Sequence, residues 1–423
     1  MSSIFQLKSP FTKKSSTFAA LALLVCAGSV QALDLETAYL SALENDPQFQ
    51  GAKSERQATK AQAIQNWSQY LPTANISQQQ YATDISSRRV ATFNVPLFDA
   101  EKAAQVAQGS SRNQFAESTY ITKTHDLAQR TLKAVNQVIL AGEAQRANLG
   151  RIAALEGQYN ANKRKYESGL GTVTDLRDIE VKFNMAKADD LTLKVQKKIA
   201  ARQLAMITGS MPAEGDFSLP KTHGAHPMPD MGQVIMRVKD SNPTITAARD
   251  QESIAKYDIA RSTGAVLPTV SYTHLRTEYN NQITWNDGMT IILPIQVGSY
   301  VNTYGMAKKY SQARSQREDA EAKTELDAEK YFSLTETGLQ AIKIKKDAVD
   351  SAQLSVDANQ KSFTAGVRST TDVLNSIQVL FQTRNEYAIA VAAQAENYLN
   401  LLLVQNDDPA FAMKQVQSFL FRK

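Results

Sequence analysis

The chain has 423 residues, 43% hydrophobic and 21% charged, a balance that excludes a wholly disordered polymer. Its formal net charge is +5, but three of the 47 basic residues and none of the 42 acidic ones lie in the first 32 positions. That leaves 44 basic against 42 acidic residues, a net +2, and removes the main support for a nucleic-acid partner.

Residues 1–32 read as a secretory signal. Lys8, Lys13 and Lys14 form a positive start, an apolar run follows from about Phe18 to Val30, and Val30-Gln31-Ala32 places small residues at a cleavage site before Leu33. The run falls short of the about 20 apolar residues a spanning helix needs. Cys26, the single cysteine, lies inside this signal. Leu23-Leu24-Val25-Cys26 loosely matches a lipidation box, with bulky Val25 where a small residue is expected. Cleavage after Ala32 leaves no thiol and no need of disulfide chemistry. No later segment reaches about 18 apolar residues without charges, so any later membrane span must be made of strands.

The remainder is written twice. Asn45-Asp46-Pro47 returns as Ser241-Asn242-Pro243, and Tyr70-Leu71-Pro72-Thr73 as Val266-Leu267-Pro268-Thr269. Phe93-Asn94-Val95-Pro96 returns as Ile291-Ile292-Leu293-Pro294, and Tyr166-Glu167-Ser168-Gly169 as Phe363-Thr364-Ala365-Gly366. Four landmarks in order at shifts of 196 to 198 residues mark an internal duplication. The expected division is a first repeat over 33–208, a linker over 209–230, a second repeat over 231–404 and a C-terminal tail over 405–423. Pro212, Pro220, Pro227 and Pro229 break helices in the linker.

Each repeat has the same grammar. A helix comes first, from about Leu35 to Ser68 and from about Met231 to Gly264. It is broken where Asp46 or Asn242 caps a restart at the following proline. A hairpin follows. Ala91, Phe93, Val95 and Leu97 share one side, as do Met289, Ile291, Leu293, Ile295 and Val297, with Thr92, Asn94, Thr290 and Gln296 opposed and Ile292 the exception. Val270 and Tyr272 alternate with Thr269, Ser271 and Thr273. Apolar-out, polar-in alternation is the pattern of a transmembrane barrel strand, and Tyr70, Tyr81, Phe98, Tyr279, Trp285 and Tyr300 stand where an interfacial aromatic belt would be. A half-buried strand of a soluble sandwich alternates in the same way. The flanking helices argue against it, because they leave these strands no covering layer.

Next come very long polar helices, from about Asp99 to Lys165 and from about Val301 to Phe363, free of proline and rich in Ala, Gln, Lys and Glu. Some 65 residues at about 1.5 Å each span roughly 100 Å. The second returning helix has heptad character. Leu374, Phe381, Ala388, Ala395 and Leu402 fall seven apart, with Ile377, Val391 and Tyr398 three residues after members of that series and Arg384 breaking it. A solvated coiled-coil rod remains the bland alternative.

Two hairpins supply four strands, which cannot close a barrel, and an open edge in lipid costs several kcal/mol per unpaired group. If the strands span a membrane, several chains must share one barrel. The order helix, Asn/Asp-Pro, helix, Leu-Pro, hairpin, long helix, Gly-turn-Thr-Asp-Val/Leu and return helix, given twice, resembles the TolC family of outer-membrane efflux and type I secretion channels. The resemblance covers essentially the whole chain after the signal. It implies a mixed α+β membrane protein: a homotrimeric 12-stranded β-barrel, four strands per chain, continued by a long α-helical coiled-coil barrel. It further implies an outer-membrane location in a Gram-negative cell, with the helices in the periplasm and outer-membrane lipid around the strands. The partners implied are a periplasmic adaptor (a membrane fusion protein) and an inner-membrane transporter.

The family's gate lies at the helical turns. By this resemblance Asp372, in Thr371-Asp372-Val373-Leu374, lines the constriction, Arg368 ties the inner coiled coil shut, and Asp175 is its acidic partner. Phe363 stands where a tyrosine hydroxyl would join the network, and Asn375 where a second aspartate would be. Three copies of Asp372 would make a cation-favouring ring. Asp175 and Asp372 also read as caps of the helices that begin there, and the two roles are compatible.

His223 and His226 have a possible ligand spacing but lie in Gly/Pro-rich linker without a third ligand, and His125 and His274 stand alone. No phosphate loop or nucleophile–base motif is present, so neither an enzyme, a metal nor a cofactor is expected. The rival reading is a periplasmic coiled-coil adaptor, which would carry compact soluble β-domains. The cargo stays open between secreted protein and small molecules. Asn45-Asp46-Pro47, after Leu35-Glu36-Thr37-Ala38-Tyr39, leans toward protein secretion.

Overall fold

The computed structural model describes residues 34–80, 87–213, 219, 228–279, 281–295 and 297–420. The expected signal with Cys26 and Leu33, and Tyr81, Pro220, His223, His226, Pro227 and Gln296, lie outside the described residues.

The first repeat comprises α1 (Leu35–Asn45), α2 (Pro47–Ser68), β1 (Thr73–Gln80), β2 (Ser87–Phe98), α3 (Ala100–Glu167) and α4 (Val173–Thr208). The second comprises α5 (Met231–Ser241), α6 (Pro243–Gly264), β3 (Thr269–Tyr279), β4 (Gln282–Ile292), α7 (Val297–Thr364) and α8 (Thr370–Val404), followed by α9 (Pro409–Leu420). The breaks after α1 and α5 arise from the caps foreseen. Asp46 accepts from the Gln48 N–H at 3.1 Å and Asn242 from the Thr244 N–H at 2.9 Å, each with proline at the first helical position.

The long helices α3 and α7 have 68 residues each, so each runs roughly 100 Å at about 1.5 Å per residue. They lie in a row, α4 beside α3, α3 beside α8 and α8 beside α7, with α6 running lengthwise between the barrel-side halves of α3 and α7. Gly264, at the end of α6, sits so close to the start of α3 that a Cβ would come 2.6 Å from the Glu101 backbone nitrogen. Only glycine fits there.

The largest core lies part-way along the bundle. Leu35, Leu127, Leu132, Ile139, Leu204, Leu399 and Met413 are all buried in it. The segment after residue 404 contributes to this core through α9, whose Ala412, Met413 and Val416 are fully buried. The heptad on α8 is real. Leu374, Ala388, Ala395 and Leu402 are buried with Ile377, Val391 and Tyr398, while Arg384 is exposed and donates to Gln353 Oε1 at 2.9 Å.

A four-stranded antiparallel sheet in the order β1-β2-β3-β4 caps one end. The hairpins join through β2 and β3, with Phe93 opposite His274 and Ala91 opposite Arg276. An irregularity between Pro96 and Phe98 shifts the register at the base of β2. Strand β4 stops at Ile292, so Leu293, Ile295 and Val297 do not continue it as expected. Pro294 has no N–H to give a ladder, and α7 begins at Val297. No helix among the described residues is long and apolar enough to cross a membrane.

Candidate functional site

The register sorts the strand side chains onto two faces. One carries Phe93, Ala91, Val270, Tyr272, Met289, Ile291 and Trp285; the other carries Asn94, Thr92, Thr273, Ser271, Thr290 and Asn75. Nothing among the described residues covers the apolar face. Ile76 is 82% exposed, Ile291 68% and Met289 66%, and every residue of β1 and β4 is exposed. An apolar face of this extent left bare is a face for lipid, not for a soluble sandwich. The exposed apolar surface continues below the strands through Leu71, Leu293, Ile295 and Tyr300.

Two of the expected belt aromatics depart from that role. Tyr279 is exposed but lies on the polar face, because register places it opposite Arg88 and Gln282, not beside Trp285. Tyr70 turns inward: its hydroxyl donates to the Asp99 carbonyl at 3.1 Å and fixes the start of α3. His274 does not stand alone. It meets Asp287 across β3–β4 with its ring 5.2 Å from that of Trp285.

Each outer strand has one edge without a partner among the described residues. The ladder runs from β1 to β4 and does not return. The helical row is open in the same way. Val181, Met185, Leu191 and Val195 on α4 and Leu326, Ile344 and Leu354 on α7 are exposed at its two ends.

The opposite end of the row carries the two helical turns. Gly169 and Gly366 adopt φ of 73° and 78°, a left-handed conformation that lets α3 and α7 reverse. Beneath them Leu155, Ile179, Ala186, Phe363, Val373, Leu374 and Ile377 form one core drawn from all four long helices. Thr370 Oγ1 bonds Asn162 Oδ1 at 3.3 Å, joining the second turn to α3.

The cap residues are one turn earlier than expected. Thr172 and Ser369 are the N-caps, and Asp175 and Asp372 answer from the third helical position. The Ser369 N–H donates to Asp372 Oδ2 at 3.1 Å, and the Asp372 N–H donates to Ser369 Oγ at 3.2 Å. The Asp175 N–H donates to Thr172 Oγ1 at 3.1 Å, and that hydroxyl donates to Asp175 Oδ2 at 2.6 Å. The Ser369 hydroxyl and N–H, with some help from Arg368, hold the Asp372 carboxyl below its ordinary pKa. Within one chain Arg368 turns to Asp372 at 3.9 Å, and no ion pair between Arg368 and Asp175 occurs among the described residues. Asn375 is exposed one turn beyond Asp372. Phe363 is buried at 6% exposure with the Lys165 ammonium 3.8 Å over its ring. It belongs to the core beneath the turn.

Two tip residues escaped the sequence reading. Leu170 and Val367 occupy the same place in the two turns and are 83% and 79% exposed. The signal was available: an aliphatic residue beside a turn glycine in both repeats, with no neighbour to bury it. Among the described residues there is no group of three or more His, Cys, Asp or Glu placed to hold a metal.

A family model described as outer membrane efflux protein matches residues 38–210 and 234–405. Alkaline protease secretion protein AprF of Pseudomonas aeruginosa is 24% identical over 391 residues, covering 85% of this chain and 81% of its own length. Proteases secretion protein PrtF of Dickeya chrysanthemi is 23% identical over 425 residues, covering 92% and 91%. Outer membrane protein TolC of Escherichia coli is 22% identical over 403 residues, covering 88% and 82%. Among solved structures, the outer-membrane channel OprN superposes with a TM-score of 0.76 at 15% identity, over 89% of this chain and 90% of that one. VceC of Vibrio cholerae does so with 0.72 at 14% identity, over 88% and 95%. These likenesses show the fold.

Proposed function

The chain belongs to the outer membrane efflux protein family, and on that premise we propose that three copies share one twelve-stranded barrel continued by a helical tunnel. It is an outer-membrane exit duct of a Gram-negative cell. The observation that carries the sharing of one barrel between copies is the pair of free edges on β1 and β4. Joining β4 of one copy to β1 of the next pairs every edge, which lipid demands. The same junction brings the exposed apolar side of α4 against that of α7. A periplasmic adaptor finds no support: the strands are bare on the apolar face, where an adaptor would have soluble β-domains.

No nucleotide-binding motif is visible, so transport energy comes from an inner-membrane transporter linked through a periplasmic adaptor. Leu170 and Val367 present six apolar knobs per trimer on the turns farthest from the barrel, a surface suited to such a partner. The relatives named for protease secretion favour type I protein secretion over small-molecule efflux as the main task. Asp372 would ring the tunnel entrance, with Asn375 beside it adding no charge. Arg368 would gain Asp175 as a partner in the assembled trimer, and Phe363 would anchor the turn that carries Arg368.

The test is to extract the protein from outer membranes in detergent, weigh it by native mass spectrometry and record it in planar bilayers. Trimers that conduct are expected. A monomer that stays in solution without detergent would end this reading.

A further inference from the structure

The polar face of the sheet is mostly Thr, Ser, Asn and Gln, with Val90, Leu275, Tyr279 and Ile292 among them, and among the described strand residues it carries one charged side chain, Arg88. Arg88 lies at the far end of β2, opposite Gln79 on β1 and Tyr279 on β3, and it is exposed. On the apolar face His274 meets Asp287, Arg276 lies 3.7 Å from Glu278, and Arg89 donates to Gln78 Oε1 at 3.3 Å. Arg88 has no carboxylate within ion-pair distance among the described residues, and its register neighbours are an amide and a phenol. An arginine held on a neutral, hydroxyl- and amide-lined wall is free to serve a solute.

We propose that three Arg88 side chains form a ring inside the outer mouth of the barrel that binds polyanions, phosphorylated ones above all. This rests on the trimeric duct argued above. Twelve strands about 4.8 Å apart and tilted by about 40° give a backbone radius of roughly 12 Å. A guanidinium reaching some 6 Å inward then lies within the Debye length of about 10 Å at 0.1 M salt, so the three charges act together on one solute. The planar fork of arginine suits phosphate oxygens, and among the described strand residues no carboxylate on the polar face competes for it. The ring sits at the opposite end of the duct from Asp372 and has the opposite sign. Cationic solutes outside the cell meet repulsion at the mouth, before the acidic entrance; anionic ones are retained there.

The experiment uses full trimers in planar bilayers at 0.1 M salt, with inositol hexakisphosphate added to the barrel side. Interrupted current is expected, at roughly tenfold lower concentration than for Arg88→Gln, the scale set by three uncompensated charges within one screening length. Arg88→Lys should keep a good part of the block. Equal block of the parent and Arg88→Gln, or block only from the helical side, would overturn the inference. Trimers that form but never conduct would strike the duct reading itself, a failure that the block data cannot be confused with.

Discussion

Arg130 Nη2 on α3 lies 2.6 Å from Asp46 Oδ2, the carboxylate that caps α2. The second repeat does without this pair. The long helices start 197 residues apart, so Asp327 stands where Arg130 would be, and the cap there is neutral Asn242. Asn242 instead donates its amide to the Val404 carbonyl at 2.8 Å. An aspartate at 242 would lack the amide that makes this bond.

The Asp46 side chain is 5% exposed and that of Arg130 is 27%. Removing the cation strands a buried carboxylate, whereas removing the anion leaves Arg130 its second partner Asp126 at 3.0 Å. Arg130→Met should therefore cost about 2–3 kcal/mol, and Asp46→Asn, which keeps the cap, about 1 kcal/mol or less. The temperature at which detergent-purified trimers fall to monomers checks the order. An equal or reversed loss would mean that Asp46 is not stranded when Arg130 is removed.

Leu170→Glu and Val367→Glu should each abolish export in cells while leaving trimer yield and pore conductance unchanged. Both side chains already face solvent at 83% and 79% exposure, so a carboxylate there costs the fold little. It would cost an apolar contact with a partner a great deal. Comparing the secreted proteome with outer-membrane trimer levels separates the two. Normal secretion would remove the tips from the docking surface.

The breaks at Asp46-Pro47 and Asn242-Pro243 were legible because caps and proline act within three residues. The α8 seam was legible because its period is internal to one helix. What failed depended on partners far away in the chain. Alternation runs on through Leu293 and Ile295, yet a ladder needs a neighbour, and β4 loses its own after Ile292 opposite Thr269. Tyr279 looked like Trp285 until register put it on the other face. Phe363 was read by what it lacks, a hydroxyl, when its contribution is burial among Leu155, Ile179 and Val373.

Asp372 should stay ionised to lower pH than an ordinary aspartate. The Ser369 hydroxyl and N–H, and then Arg368, favour its charged form. A depressed carboxyl adds stability that is complete above its unfolded pKa and lost only as pH falls through the folded value. The predicted cation preference of the tunnel entrance should accordingly persist below about pH 4, the usual range for aspartate. Asp372→Asn should abolish that preference at every pH. Reversal potentials under a salt gradient from pH 7 to 3 decide it; a preference that fades already between pH 5 and 4 would assign it to other carboxylates.

His125 on α3 is 8% exposed, and burial pushes its pKa down to about 4, with the attraction of Asp408 only partly opposing this. The ring is therefore neutral in the fold at neutral pH. The unfolded chain takes up a proton near pH 6.5, while the folded chain resists until about pH 4. Its favourable share of stability is complete above pH 6.5 and drains away as pH falls between those values, by about 3 kcal/mol in all. His125→Gln cannot titrate. Whatever its stability at pH 7.5, its dissociation temperature should fall less steeply between pH 6.5 and 4.5 than that of the parent. Carboxylates that titrate lower in the range affect both proteins alike, so the difference between the two curves isolates the imidazole. Parallel curves would mean that water or a carboxylate reaches the ring and lets it charge in place.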